Sequence, residues 1–147
     1  MKNLKYLFVS KEIAIKLKEK GFDEPCLAVY RGFNLYFDKM ISGYVSDYDN
    51  AEFSTNTSLD YYSVNKEDRY YWITAPMLVQ VIDWFREKHK IIIEISTNWK
   101  NHKQIDGWDV FVGDLKLVSD SPTLFNGIHE DYYSALIYGI EESIKLI

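Results

Sequence analysis

Apolar positions along this chain recur at two spacings, and the switch between them is sharpest near its middle. Met77, Leu78, Val81, Ile82 and Phe85 fall at helical spacing and form one stripe, with Gln80, Asp83 and Glu87 opposite. Trp84 lies off the stripe and widens it. Thr74 can cap the first turn through its hydroxyl, and Pro76 fits where a missing N–H costs nothing. Ile73 and Leu78 stand at the two ends of a hydrophobic staple. Arg86, Lys88, His89 and Lys90 gather where cations complement the helix dipole. The pattern predicts a helix over 75–89. It runs directly into Ile91-Ile92-Ile93-Glu94-Ile95, a β-branched run that predicts a strand with Ile91, Ile93 and Ile95 on one face.

The flanking sequence extends this plan. Residues 4–9 read as an extended lead-in. Ser10 caps a helix over 10–20 that carries Ile13, Ala14 and Leu17 inward, and Gly21 followed by Phe22 suits a left-handed C-terminal stop. Leu27–Arg31 and Asn34–Phe37 read as two short strands around Gly32, and Tyr70–Ile73 as an extended entry to the central helix. Beyond Ile95, polar residues 98–104, Asp106-Gly107 and Gly113-Asp114 read as turns, with Trp108–Val112 and Leu115–Val118 as strands. Tyr133, Leu136, Ile137, Ile140, Ile144 and Ile147 then form the stripe of a helix over 131–146 that begins near Asp131. No repeat, linker composition or low-complexity block interrupts the chain. The expected architecture is α+β: one globular domain over 1–147, mainly an antiparallel sheet packed against helices at 10–20, 75–89 and 131–146.

Length and charge narrow the function classes. A chain of 147 residues can bury an adequate core without a metal or disulfide staple. Its single cysteine, Cys26, lies in an apolar run and reads as an inert buried thiol. The net charge of −5 argues against direct nucleic acid binding, which needs a basic patch to displace counterions. No window has the length of a membrane span, and the apolar stretch after Lys5 is too short for a secretion signal. The expectation is a cytoplasmic protein, with the glycosylation sequon Asn56-Thr57-Ser58 a chance match.

The sequence holds few chemical motifs. His89, His102, His129 and Cys26 have none of the spacings of a zinc motif, and no glycine-rich phosphate loop or nucleophile motif is present. No catalytic residue, metal ligand or cofactor is assigned. What stands out is the segment Tyr44–Trp72, rich in tyrosine, with six acids against two bases. Tyrosines supply large rigid contact area with a polar tip, and acids among them favour a basic partner. The candidate binding residues are Tyr48, Asp49, Tyr61, Tyr62 and Asp68.

Several strings carry a resemblance. Ser10-Lys11-Glu12-Ile13-Ala14, Lys18 to Cys26, Ile73-Thr74-Ala75-Pro76, Val81 to His89, Tyr132-Tyr133 and the ending Glu141 to Ile147 resemble small proteins of unassigned function encoded by phages and prophage-like elements of Bacteroidetes. Residues 38–70 depart from that pattern. The resemblance implies a phage or mobile-element origin and brings no catalytic residues with it. The leading reading is therefore a non-enzymatic phage-type accessory protein that binds a host or phage protein, or its own copy. Two alternatives stay open: a binder or sponge for a nucleotide signal, using cations near Arg31, Lys39 and Arg69, and a small hydrolase using loop carboxylates such as Asp47 with Asp49 or Glu67 with Asp68.

Overall fold

The computed structural model of the chain describes residues 4–37, 54–57, 59, 72–100, 104–114 and 128–147. Among them are three helices and two antiparallel sheets, the α+β class and strand pairing that the pattern predicts. The chain forms two compact units, Met1–Met77 and Leu78–Ile147. No helix among the described residues is long and apolar enough to cross a membrane.

The first unit opens with a short 3-10 turn, Leu4–Leu7, where an extended lead-in is expected. Helix α1 spans Lys11–Glu19. Ser10 caps it by accepting from the Ile13 N–H at 3.3 Å. At the other end the Gly21 N–H donates to the Lys18 carbonyl at 3.0 Å and the Phe22 N–H to the Leu17 carbonyl at 2.9 Å. That pair is a Schellman stop, and Gly21 supplies its positive φ of 87°. Phe22 and Leu17, the two residues the motif brings together, are both buried.

Strands β1 (Ala28–Arg31) and β2 (Asn34–Phe37) form a hairpin whose two-residue loop is Gly32-Phe33. Gly32 takes φ 58° at the first loop position, a conformation glycine adopts without strain. Strand β3 (Trp72–Ala75) pairs antiparallel with β1 and completes the sheet in the order β2-β1-β3. This corrects the predicted helix start: Thr74 lies in a strand and is not an N-cap. Trp72 to Thr74 favour extended backbone, and Pro76 pushes Ala75 the same way. Ile73 and Ala75 are fully buried.

Asn56 connects three parts of this unit. Its side-chain oxygen accepts from the Thr74 N–H of β3 at 3.2 Å, and its amide donates to the Phe22 carbonyl just beyond α1 at 2.8 Å. Beside it the Thr57 N–H and hydroxyl both donate to the Asp23 carboxylate. Cys26 is bridged to Ser54 through a backbone bond of 3.0 Å.

The second unit begins with α2, Leu78–Trp84, which widens into a π turn over Phe85–His89. The helix is therefore shorter than predicted, and its buried face is Leu78, Val81, Trp84 and Phe85. The π turn also brings His89 against Trp84, ring centroids 4.4 Å apart. Lys90 ends the turn in the left-handed region at φ 60°, its N–H bonded to the Phe85 carbonyl. Strand β4 (Ile91–Lys100) follows at once and pairs with β5 (Gln104–Asp114).

Both strands outrun the prediction. Asp106-Gly107 is not a turn. Asn98 pairs with Gly107 and Trp99 with Ile105, so Asp106 is the extra residue of a bulge. Gly113 and Asp114 likewise continue the ladder, opposite Ile92 and Ile91. Gly107 is required by what lies beside it. The segment at His129 bridges to Trp108 by two backbone bonds of 2.9 and 3.0 Å, and a Cβ on Gly107 would meet Ile128 Cγ2 and, at 2.9 Å, the His129 carbonyl oxygen. Gly107→Ala is expected to lower stability by about 2 kcal/mol, because backbone cannot yield as a flexible side chain can. Urea unfolding of the two proteins checks this.

Helix α3, Tyr132–Lys145, packs on β4 and β5. Asp131 caps it, accepting from the Ser134 N–H at 2.8 Å and the Ser134 hydroxyl at 2.7 Å. Those bonds hold the Asp131 carboxyl below its usual range, the hydroxyl contributing most. The buried face is Ala135, Leu136, Gly139, Ile140, Ser143 and Ile144, a row of small residues beside the apolar one. Ile137 and Tyr133, expected in the stripe, are only half-buried.

Candidate functional site

Among the described residues the most exposed large hydrophobic side chain sits on the β1–β2 hairpin. Phe33 occupies the second loop position and is 93% exposed. A turn needs no aromatic ring there, since small polar residues satisfy the same backbone. Two cation–aromatic contacts are made by described residues of this unit. The Lys11 ammonium, on the first residue of α1, lies 5.1 Å from the centre of the Phe33 ring. The Arg31 guanidinium lies 5.0 Å from the centre of the Trp72 ring. Arg31 pairs across the ladder with both Asn34 and Trp72, so these three side chains share one face of the sheet.

The scaffold beneath the loop is well anchored. Phe8, Ala28 and Ala75 form a buried cluster to which Tyr30, Leu35 and Met77 add. The Tyr30 hydroxyl donates to the Val9 carbonyl at 2.6 Å, and Phe37 meets Phe8 edge-on at 5.8 Å. The hairpin thus presents its loop from a fixed base.

Tyr48, Asp49, Tyr61, Tyr62 and Asp68 all lie outside the described residues, as do Lys39, Arg69 and the carboxylate pairs of the loop. Of the cations considered for a nucleotide, Arg31 is described, and it is the one stacked on Trp72. Cys26 is fully buried and its thiol donates to the Glu24 carbonyl at 3.3 Å, an environment that suits a structural thiol. His89 packs on Trp84, and His129 stacks 4.8 Å from Tyr138 with its Nε2 buried and without a hydrogen-bond partner among the described residues. Among the described residues no three His, Cys, Asp or Glu side chains gather as metal ligands.

The second unit has its own exposed apolar pair. Trp99 and Ile105 are cross-strand partners beyond the bulge, 54% and 46% exposed. They continue the face on which Trp108 meets Tyr132, the first residue of α3, at 5.2 Å. No protein-family model matches the chain, and no significant match was found among curated proteins or solved structures.

Proposed function

We propose that the chain is a non-enzymatic accessory protein of phage type that binds another protein through the β1–β2 hairpin, with Phe33 as its anchor. The phage-type attribution rests on the sequence strings described above. The binding attribution rests on one observation, the 93% exposure of Phe33 on a rigidly based loop. In water the ring contributes to the fold only its contact with Lys11, whereas burying it in a partner is worth about 2–3 kcal/mol. Interfaces concentrate their energy in a few such aromatic anchors.

The test is a pair of affinity captures from a Bacteroidetes lysate, one with the natural protein and one with Phe33→Ala. Phe33→Ala is expected to keep its circular dichroism spectrum and unfolding midpoint, since it removes an exposed side chain. It is expected to bind the captured protein about 30- to 150-fold more weakly, the equivalent of that burial energy. A partner held equally by both proteins counts against the hairpin. The Tyr61→Ala/Tyr62→Ala protein, run alongside, tests the tyrosine-rich segment as the contact surface.

A further inference from the structure

We infer that the β4 edge of the second unit pairs antiparallel with β4 of a second copy, about a two-fold axis beside Thr97. The inference is separate from the hairpin reading and concerns different residues. Among the described residues the β4–β5 ribbon is a sheet of two strands, so each strand has one side for a further ladder. On β5 that side is engaged at Trp108, whose N–H and carbonyl both bond to His129. On β4, β5 is the only strand partner among the described residues.

The direction of those bonds fixes what β4 offers. Trp108 turns both backbone groups away from β4, so its pair with Thr97 is a non-hydrogen-bonded one. The Thr97 N–H and carbonyl therefore turn to the open side as well, and by alternation so do those of Ile95. Natural edge strands are guarded against pairing by charges, proline or a bulge. Ile91 to Trp99 hold one charged residue, Glu94, and no proline or glycine. The bulge lies on the other strand, at Asp106, and leaves β4 regular.

The sequence of the edge selects the occupant. Residues opposed across a ladder share a face, so a two-fold axis between two copies must pass beside one residue and its equivalent. Beside Glu94 it sets two carboxylates together. Beside Thr97, and at no other position within β4, it sets Glu94 opposite a cation, Lys100 of the second copy, and does so twice. Thr97 then exchanges both its backbone bonds with its equivalent. The same register sets Trp99 opposite Ile95. Trp99 is 54% exposed in a single copy, with Ile105 as its cross-strand neighbour on β5. The second copy gives its ring an apolar neighbour on the other side. The result is a four-stranded sheet, β5-β4-β4-β5, with both α3 helices on one face. An extended peptide from another protein could also add to this edge, but β4 itself supplies both charges of the pairing.

The test is sedimentation equilibrium of the full chain and of Glu94→Lys, Lys100→Glu and the double exchange Glu94→Lys/Lys100→Glu. The natural chain is expected to dimerise. Each single exchange sets like charges opposite each other twice and should weaken the dimer at least about tenfold. The double exchange restores opposite charges and should restore the dimer. So should an equimolar mixture of the two single variants, because in the mixed pair both contacts join opposite charges. Structural damage to β4 would permit neither recovery. Phe33→Ala changes the other unit and should leave the dimer constant unaltered. A chain monomeric up to its solubility limit overturns the inference. So does a dimer indifferent to the single exchanges, a dimer lost in Phe33→Ala, or growth beyond a dimer, since one edge per copy closes on itself.

Discussion

Gly139→Leu is expected to cost the fold about 3 kcal/mol, a large share of the stability of an ordinary domain. Gly139 lies where α3 crosses the β4–β5 ribbon. A Cβ there would sit 2.7 Å from Ile93 Cγ2 and 3.0 Å from Val110 Cγ1. Both neighbours are β-branched, stiff at χ1 and buried, so neither can swing aside. A longer side chain would have to lift the helix from the sheet. Gly139→Ala makes the sharper test. In an exposed helix that change gains about 1 kcal/mol from backbone entropy. Here overpacking of about 1–3 kcal/mol opposes the gain. The net expectation is a loss of about 1 kcal/mol. Urea unfolding that found Gly139→Ala more stable than the natural protein would rule out the close approach.

Asn56→Ala is expected to be comparably severe, about 3 kcal/mol, for the opposite reason. It removes bonds in place of adding bulk. Asn56 is buried, accepts from the Thr74 N–H and donates to the Phe22 carbonyl. Losing the side chain deprives a buried backbone N–H of its acceptor, which costs about 1–3 kcal/mol, and breaks the second bond as well. Asn56→Asp separates the two contributions. The carboxylate still accepts from Thr74, but it faces the Phe22 carbonyl and cannot donate unless protonated. Its folded pKa should therefore rise above the unfolded value. The variant should lose stability as pH climbs through that raised pKa and recover part of it in acid. Unfolding midpoints measured across the acid range check the sign. A variant equally destabilised at every pH would mean that the Phe22 bond contributes little.

Local chemistry made much of this fold legible. Ser10, Gly21 and Phe22 mark the ends of α1, and Gly32 marks the hairpin, because each acts on backbone within a few residues. The failures share a different character. Thr74 is both a capping residue and a β-branched strand residue, and what decides between them is pairing with Val29 and a bond to Asn56. Those partners are distant in sequence. Asp106-Gly107 has the chemistry of a turn, but the close approach of Ile128 and His129 makes it a bulge. The inner face of α3 was only partly visible because Ala135, Gly139 and Ser143 face inward without being hydrophobic enough to register. Small residues signal close packing only once the neighbour is known. The site was less legible still. Phe33 passes for an ordinary apolar residue between strands until the hairpin places it on the loop. The tyrosines chosen instead, Tyr48, Tyr61 and Tyr62, fall outside the described residues.

Asn56 has one more consequence, for production of the protein. It is the acceptor asparagine of the sequon Asn56-Thr57-Ser58, and the nitrogen that a glycan would take is the one that donates to Phe22 from the buried interior. Oligosaccharide transfer in a secretory compartment would reach that nitrogen before the chain had folded around it. A bulky sugar and this interior are mutually exclusive, so each modified molecule would be lost to the native state. Expression in a eukaryotic secretory host should yield glycosylated, misfolded chains, and a bacterial cytoplasm is the compartment that avoids this fate.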